Sequence, residues 1–184
     1  ALFSSSMSLT DYRVRSATAS DWEQVKVCII ESGSAGMTHL PDEKRKFDIA
    51  LVSDFGICYV VEQPSESIER NNFVGYLAAH FRHRAIMIVG MVIRKKFRNL
   101  GFGKILIDYL VKEFRGAANY EILRISSPTG TRSNTTMLLS YGFEISGVIS
   151  SHLAWGEDEI QFFYPLKQDH RLKAVEDLSR LICD

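Results

Sequence analysis

Tyr12 and Val14 alternate with polar neighbours, the period-two pattern of a first strand. Asp21 stands where a helix can be capped, and Trp22, Val25, Cys28 and Ile29 then recur on one helical face, predicting a helix to about Ser32. Pro41 suits the start of a second helix, with Asp42 and Glu43 in its first turn and Phe47, Ala50 and Leu51 as its apolar face. From Gly56 to Glu62 the chain is rich in β-branched and aromatic residues and reads as a strand, and Pro64 to Asn72 reads as a polar loop. Phe73–Phe81 and Ala85–Ile93 form two further strands, joined by a hairpin at Arg82-His83-Arg84. A helix follows from Phe102 to Arg115, with Leu106, Tyr109, Leu110 and Phe114 at helical spacing and Gly116 at its C-cap. Ile122, Leu123 and Ile125 make a strand ended by Pro128, and Ser133–Ser140 fits a short helix. Phe143–Ser150 and Glu159–Leu166 are the last strands, and Leu172, Val175, Leu178 and Leu181 mark a helical tail.

This order predicts an α/β fold: one domain over residues 9–168, with a mixed, mostly antiparallel twisted sheet flanked by helices, and a helical extension over 169–184. The tail packs on the domain or on a second subunit, so a homodimer is one expectation. A chain of 184 residues can bury a core without disulfides. Its 46% hydrophobic and 24% charged residues are those of an ordinary globular protein. A formal net charge of zero argues against a broad electrostatic grip on nucleic acid. Cys28, Cys58 and Cys183 are widely spaced, which argues against a disulfide framework or a metal site and suits the reducing cytoplasm. No run of apolar residues is long enough for a transmembrane helix, and Ala1 to Ser8 lacks the basic start of a signal peptide.

The chemistry is concentrated after Ile93. A basic stretch, Arg94, Lys95, Lys96 and Arg98, leads into Gly101, Gly103 and Lys104 and at once into an apolar helix. Glycines at a strand-to-helix turn let backbone approach a ligand closely, and the first N–H groups of a helix have no intrahelical partners. With the positive end of the helix dipole, they form an anion site suited to a pyrophosphate. A dinucleotide fingerprint would need a third glycine, where Leu106 stands, and a P-loop would need a different spacing and a hydroxyl residue after Lys104.

Arg98-Asn99-Leu100-Gly101-Phe102-Gly103 resembles the signature of the GCN5-related N-acetyltransferase superfamily: glutamine or arginine, two free positions, glycine, a free position, then glycine or alanine. That family precedes the motif with a strand often ending in valine, proline and tyrosine at alternate positions; Ile93, Lys95 and Phe97 stand there, so the proline is missing. Tyr120–Ser126, Ser133–Ser140 and Gly142-Phe143 occupy the places of its following strand, short helix and Gly-Phe pair, and the likeness spans roughly Tyr12 to Leu166. The resemblance implies an acetyl-CoA-dependent N-acetyltransferase in which a primary amine, on a small molecule or peptide, attacks directly within a ternary complex. It implies that backbone at Met91, Val92 and Ile93 pairs with the pantetheine arm. The N–H groups of Arg98, Asn99, Leu100, Gly101, Phe102, Gly103 and Lys104 would hold the pyrophosphate. Asn134 is either a polar contact to the cofactor or a cap or turn residue.

The catalytic positions depart from the family pattern. The strand Ala85–Ile93 carries no Asp, Glu or His, where the family commonly has a base, and Leu138 stands where it commonly has an acidic tyrosine. Tyr141 is the candidate acid or, equally, a buried or capping tyrosine. Glu62, His80, His83 and His152 are the base options, with Glu62 and His80 carried forward. His80 sits near the end of a strand beside the cofactor strand, and imidazole titrates near neutrality. His83 reads as a solvated turn residue, and Cys58 as core. A base-poor site favours an α-amino acceptor (pKa ~7.7–8.0) over a lysine amine (~10.4), because more of it is already neutral. The alternative function is a catalytically weak or inactive acyl-CoA-binding module on the same fold.

Overall fold

In the computed structural model, which describes residues 12–33, 39–63, 72–150 and 158–167, the apolar pattern resolves into seven strands and four α-helices among those residues. The strands are β1 (Arg13–Ser16), β2 (Gly56–Glu62), β3 (Phe73–Arg82), β4 (Ala85–Ile93), β5 (Ile122–Pro128), β6 (Glu144–Ile149) and β7 (Glu159–Pro165). The helices are α1 (Trp22–Ser32), α2 (Leu40–Ala50), α3 (Phe102–Phe114) and α4 (Arg132–Tyr141). The strands form one sheet in the order β1-β2-β3-β4-β5-β7-β6. β4 and β5 pair in parallel, whereas β1–β2, β5–β7 and β6–β7 pair antiparallel. This is the expected mixed α/β sheet. The expected tail helix, the loop after Pro64, His152 and Cys183 lie outside the described residues.

The chain divides into two compact units, the first running to Ala78 and including Gly90–Tyr109, the second Ala79–Val89 with Leu110 onward. In the first, α1 buries Val25, Cys28 and Ile29, and α2 buries Phe47 and Ala50. The Trp22 and Phe47 rings meet at 5.6 Å. Asp21 immediately precedes α1 as expected, but its carboxylate does not cap that helix. It accepts instead from the Thr18 N–H at 2.8 Å, closing a capping box on the short 3-10 turn Ala19–Asp21, and from Arg15. In the second unit, β5 and β7 are registered from Ile122 opposite Pro165 to Pro128 opposite Glu159, and Ile86, Leu123, Leu138, Phe143 and Phe162 are buried.

Three local expectations change. Arg82 belongs to β3, so the hairpin turn is His83-Arg84, with His83 at φ 50. α4 begins at Arg132, one residue before the expected Ser133, with Thr131 at its N-cap, so Asn134 lies in its first turn and is not its cap. Tyr109, expected on the buried face of α3, is 40% exposed, and its ring leans edge-on against buried Tyr59 at 4.9 Å. Ile107 and Val111 are buried instead, beside Leu106 and Leu110, because the inward stripe is rotated towards the i+1 positions.

Leu106 is wholly buried on α3, whereas Lys112 is exposed. Leu106→Ala is expected to cost about 2–5 kcal/mol of unfolding free energy through lost transfer and a cavity. Lys112→Ala should stay within about 0.5 kcal/mol. Urea denaturation of both variants checks the contrast.

Candidate functional site

β4 ends at Ile93, and its parallel register with β5 covers only Ala85–Ile88 against Ile122–Ile125. Met91, Val92 and Ile93, half-buried, lie beyond that register. The chain then makes a 3-10 turn at Lys95–Phe97, runs extended through Arg98, and takes left-handed backbone at Asn99 (φ 62) and Gly101 (φ 89) before α3 begins. Asparagine tolerates that region and glycine enters it freely. The Ile105 N–H donates to the Gly101 carbonyl at 3.1 Å, the first bond of the helix. The N–H groups of Phe102, Gly103 and Lys104 therefore precede any intrahelical acceptor. Backbone of this kind, at the positive end of a helix, is suited to an anion.

The turn is pinned at both ends. Phe97 and Phe102 are 4% and 2% exposed and meet edge to face at 6.1 Å, while Arg98, Asn99, Leu100 and Gly101 between them are exposed. The Arg98 Nε donates to the Ile93 carbonyl at 3.1 Å, tying the turn back to the end of β4. Of the basic residues before the glycines, Arg94 is engaged elsewhere: it forms a two-pronged pair with Glu31 of α1, at 2.7 and 3.3 Å. That hydrogen bond holds the Glu31 carboxyl below its ordinary range, against the opposing effect of burial, with further help from the Lys95 N–H.

The packing of β3 against β4 was not legible from strand periodicity. A Cβ at Gly75 would stand 2.5 Å from the Val92 carbonyl oxygen and 3.0 Å from the Ile93 Cα. Tyr76, buried, holds its hydroxyl 3.0 Å from where a Cβ on Gly90 would be. Burial pushes the Tyr76 phenol well above its usual range. The signal available in the sequence was a lone glycine inside each strand, which marks close approach.

The catalytic candidates have different surroundings. The Glu62 carboxylate, at the end of β2, accepts the Arg15 Nε at 2.8 Å, and the same guanidinium binds Asp21 through two nitrogens at 2.8 Å. His80 is buried on β3 at 8% exposure. Tyr141 ends α4, and its ring contacts Phe143 at 5.8 Å and Tyr164 at 5.4 Å. Gly142 and Phe143 close that helix by donating to the Leu138 carbonyl, and Leu138 itself is buried. Asn134 is exposed in the first turn of α4. Burial pushes the Cys58 thiol up to about 12, which suits its reading as a core residue.

Residues 26–143 match the Acetyltransferase (GNAT) family. They are more than half of the chain, and the chain belongs to that family. No curated protein matches it in sequence. Solved structures share the fold at low identity. The ribosomal-protein-S18-alanine N-acetyltransferase from Escherichia coli is 11% identical, covering 85% of this chain and 95% of its own, with a TM-score of 0.69. NAA60 from Arabidopsis thaliana, solved with a bisubstrate analogue, is 13% identical over 84% and 97%, with a TM-score of 0.71. A GNAT acetyltransferase from Elizabethkingia anophelis with acetyl-CoA bound is 14% identical over 85% and 99%, with a TM-score of 0.64.

Gly75→Ala forces backbone, not a flexible side-chain tip, to yield at Val92. It is expected to cost about 1–3 kcal/mol by chemical denaturation. Gly147→Ala, whose Cβ would come no nearer than 3.8 Å to Gln161, should cost within about 0.5 kcal/mol.

Proposed function

We propose that the protein is an acetyl-CoA-dependent N-acetyltransferase acting on a primary amine. The observation that carries this reading is the exposed turn Arg98–Gly101, with its two left-handed residues, running into the start of α3. It supplies a row of main-chain donors at a helix N-terminus, with Lys95, Lys96 and Lys104 nearby, and this fits the pyrophosphate of coenzyme A. Family membership and a fold relative solved with acetyl-CoA bound support the same cosubstrate.

Bound acetyl-CoA would supply an acetyl group activated as a thioester. In this reading Met91, Val92 and Ile93 hold the pantetheine arm through main-chain hydrogen bonds, since they lie beyond the β5 register. Arg98 through Lys104 hold the pyrophosphate through their N–H groups, and Asn134 adds a polar contact. The amine must be neutral to attack, and the thiolate formed benefits from a proton. Glu62, whose carboxylate Arg15 engages, and His80, buried on β3, are the base candidates, and Tyr141, with its ring against Phe143 and Tyr164, is the acid candidate.

β4 carries no ionisable side chain, so the strand proposed to hold the pantetheine arm supplies no base of its own. We therefore assign the acceptor as an α-amino group, on a peptide or small molecule, in the cytoplasm. The E. coli relative named as an alanine N-acetyltransferase is in keeping with this. With acetyl-CoA and a panel of amines, thiol release is expected with free peptide N-termini. Acetylation of lysine side chains or polyamines alone would sink the assignment.

A second reading, a non-catalytic acyl-CoA-binding module, is favoured by one observation: Leu138 is buried where the family commonly has its acidic tyrosine. Binding of acetyl-CoA without turnover of any amine would establish it. Both readings require the turn. Gly101→Asp adds a negative charge at φ 89 and is expected to weaken coenzyme A binding by at least tenfold in calorimetric titration, through strain and repulsion. Unchanged affinity refutes both.

A further inference from the structure

Two choices in this sequence are unfavourable where they stand. Glu31 lies in the last turn of α1, at the negative end of the helix dipole, where a carboxylate is disfavoured and a basic residue would help. Arg94 is a cation beside a turn suited to a pyrophosphate, yet its charge is neutralised. Together they make sense. The Arg94 Nε and a terminal nitrogen reach both oxygens of Glu31, the planar two-pronged geometry that fixes orientation as well as distance. The Glu31 carboxylate also accepts the Lys95 N–H, the first donor of the 3-10 turn Lys95–Phe97. The Arg94 N–H donates to the Val74 carbonyl of β3 at 2.9 Å. The residue at which β4 becomes the turn is thus held by α1 through its side chain and by β3 through its backbone.

We propose that Glu31 is a positioning residue for the cofactor turn: through Arg94 and the Lys95 N–H it fixes the direction in which the chain leaves β4. This rests on the coenzyme A reading above. Glu31 is paired with Arg94 and is assigned no contact with cofactor or acceptor. It acts by removing freedom from Arg94–Phe97, so that the exposed donors of Arg98–Gly101 are already aimed before a ligand arrives.

The alternatives are that the pair only tunes local charge, or only stabilises the fold. Glu31→Gln and Arg94→Gln break the same clamp but change the net charge in opposite directions. Coenzyme A itself is titrated calorimetrically into the wild type, both single variants and the double variant, with thermal unfolding followed alongside. Both singles are expected to weaken binding in the same direction, by about three- to tenfold. The double variant should be no weaker than the weaker single, because the second substitution removes nothing that remains. Affinities that move in opposite directions would make the effect one of charge. Unchanged affinity with a lowered unfolding temperature would make it one of stability. Either result overturns the proposal. Should a single variant fail to fold, Arg94→Lys keeps the charge but not the two-pronged contact, and unchanged affinity there overturns it equally. Absence of binding by the wild type is a separate failure, that of the cofactor reading.

Discussion

The edge-to-face contact of Phe97 with Phe102 lets an exposed, left-handed stretch of backbone exist at this place in the sheet. Burying two phenylalanine side chains is worth about 1.5–3 kcal/mol each. A non-glycine residue in the left-handed region costs roughly 1–2 kcal/mol, and less for asparagine, which stands at that position here. The aromatic anchors therefore outweigh the strain they enclose. They also set the span: the chain leaves the core after Phe97 and returns at Phe102, with Arg98 to Gly101 exposed between them.

Under the proposed function, that arrangement separates two tasks often combined in phosphate sites. Orientation is assigned to buried rings and to hydrogen bonds made by side chains, Arg98 to the Ile93 carbonyl and Arg94 to Glu31. Anion recognition is left to main-chain donors. A backbone donor cannot swing away as a lysine can, so the site gains definition without high net charge. This is consistent with a chain whose formal charge is zero. Gly75 serves the same end from β3, since its missing side chain lets Val92 and Ile93 approach closely.

Most of the elements were legible because they are local. β4 keeps the predicted bounds Ala85–Ile93, and α3 starts at Phe102, because strand and helix periods change abruptly at the glycine turn. What escaped was partner choice across long separations. Arg94 reads as one of four basic residues near the turn, and nothing within several residues of it indicates that Glu31 on α1 claims its charge. Glu62 reads as a strand-end carboxylate, but Arg15, on β1, turns it into one arm of an ion-pair cluster with Asp21. Tyr109 has the right spacing for the core and the wrong angle, because a period of 3.6 fixes a stripe only after its centre is known. The turn's chemistry was therefore visible from the motif, while the contacts that hold it were not.

The catalytic side is less determined by the fold, for a physical reason. A cofactor turn needs backbone at fixed places, and backbone follows from topology. A proton acceptor needs one side chain at one point, and several strands can supply it. β4 runs from Ala85 to Ile93 without an ionisable group, so this chain has placed no base on the strand that carries the proposed pantetheine contacts. Among the candidates, Glu62 serves an ion-pair cluster and Tyr141 an aromatic one, and each owes part of its position to those partners. An acceptor amine that is already partly neutral relaxes the demand for a strong base. Under the proposed α-amino acceptor, the absence of an ionisable group on β4 is a constraint on the substrate and not a missing part.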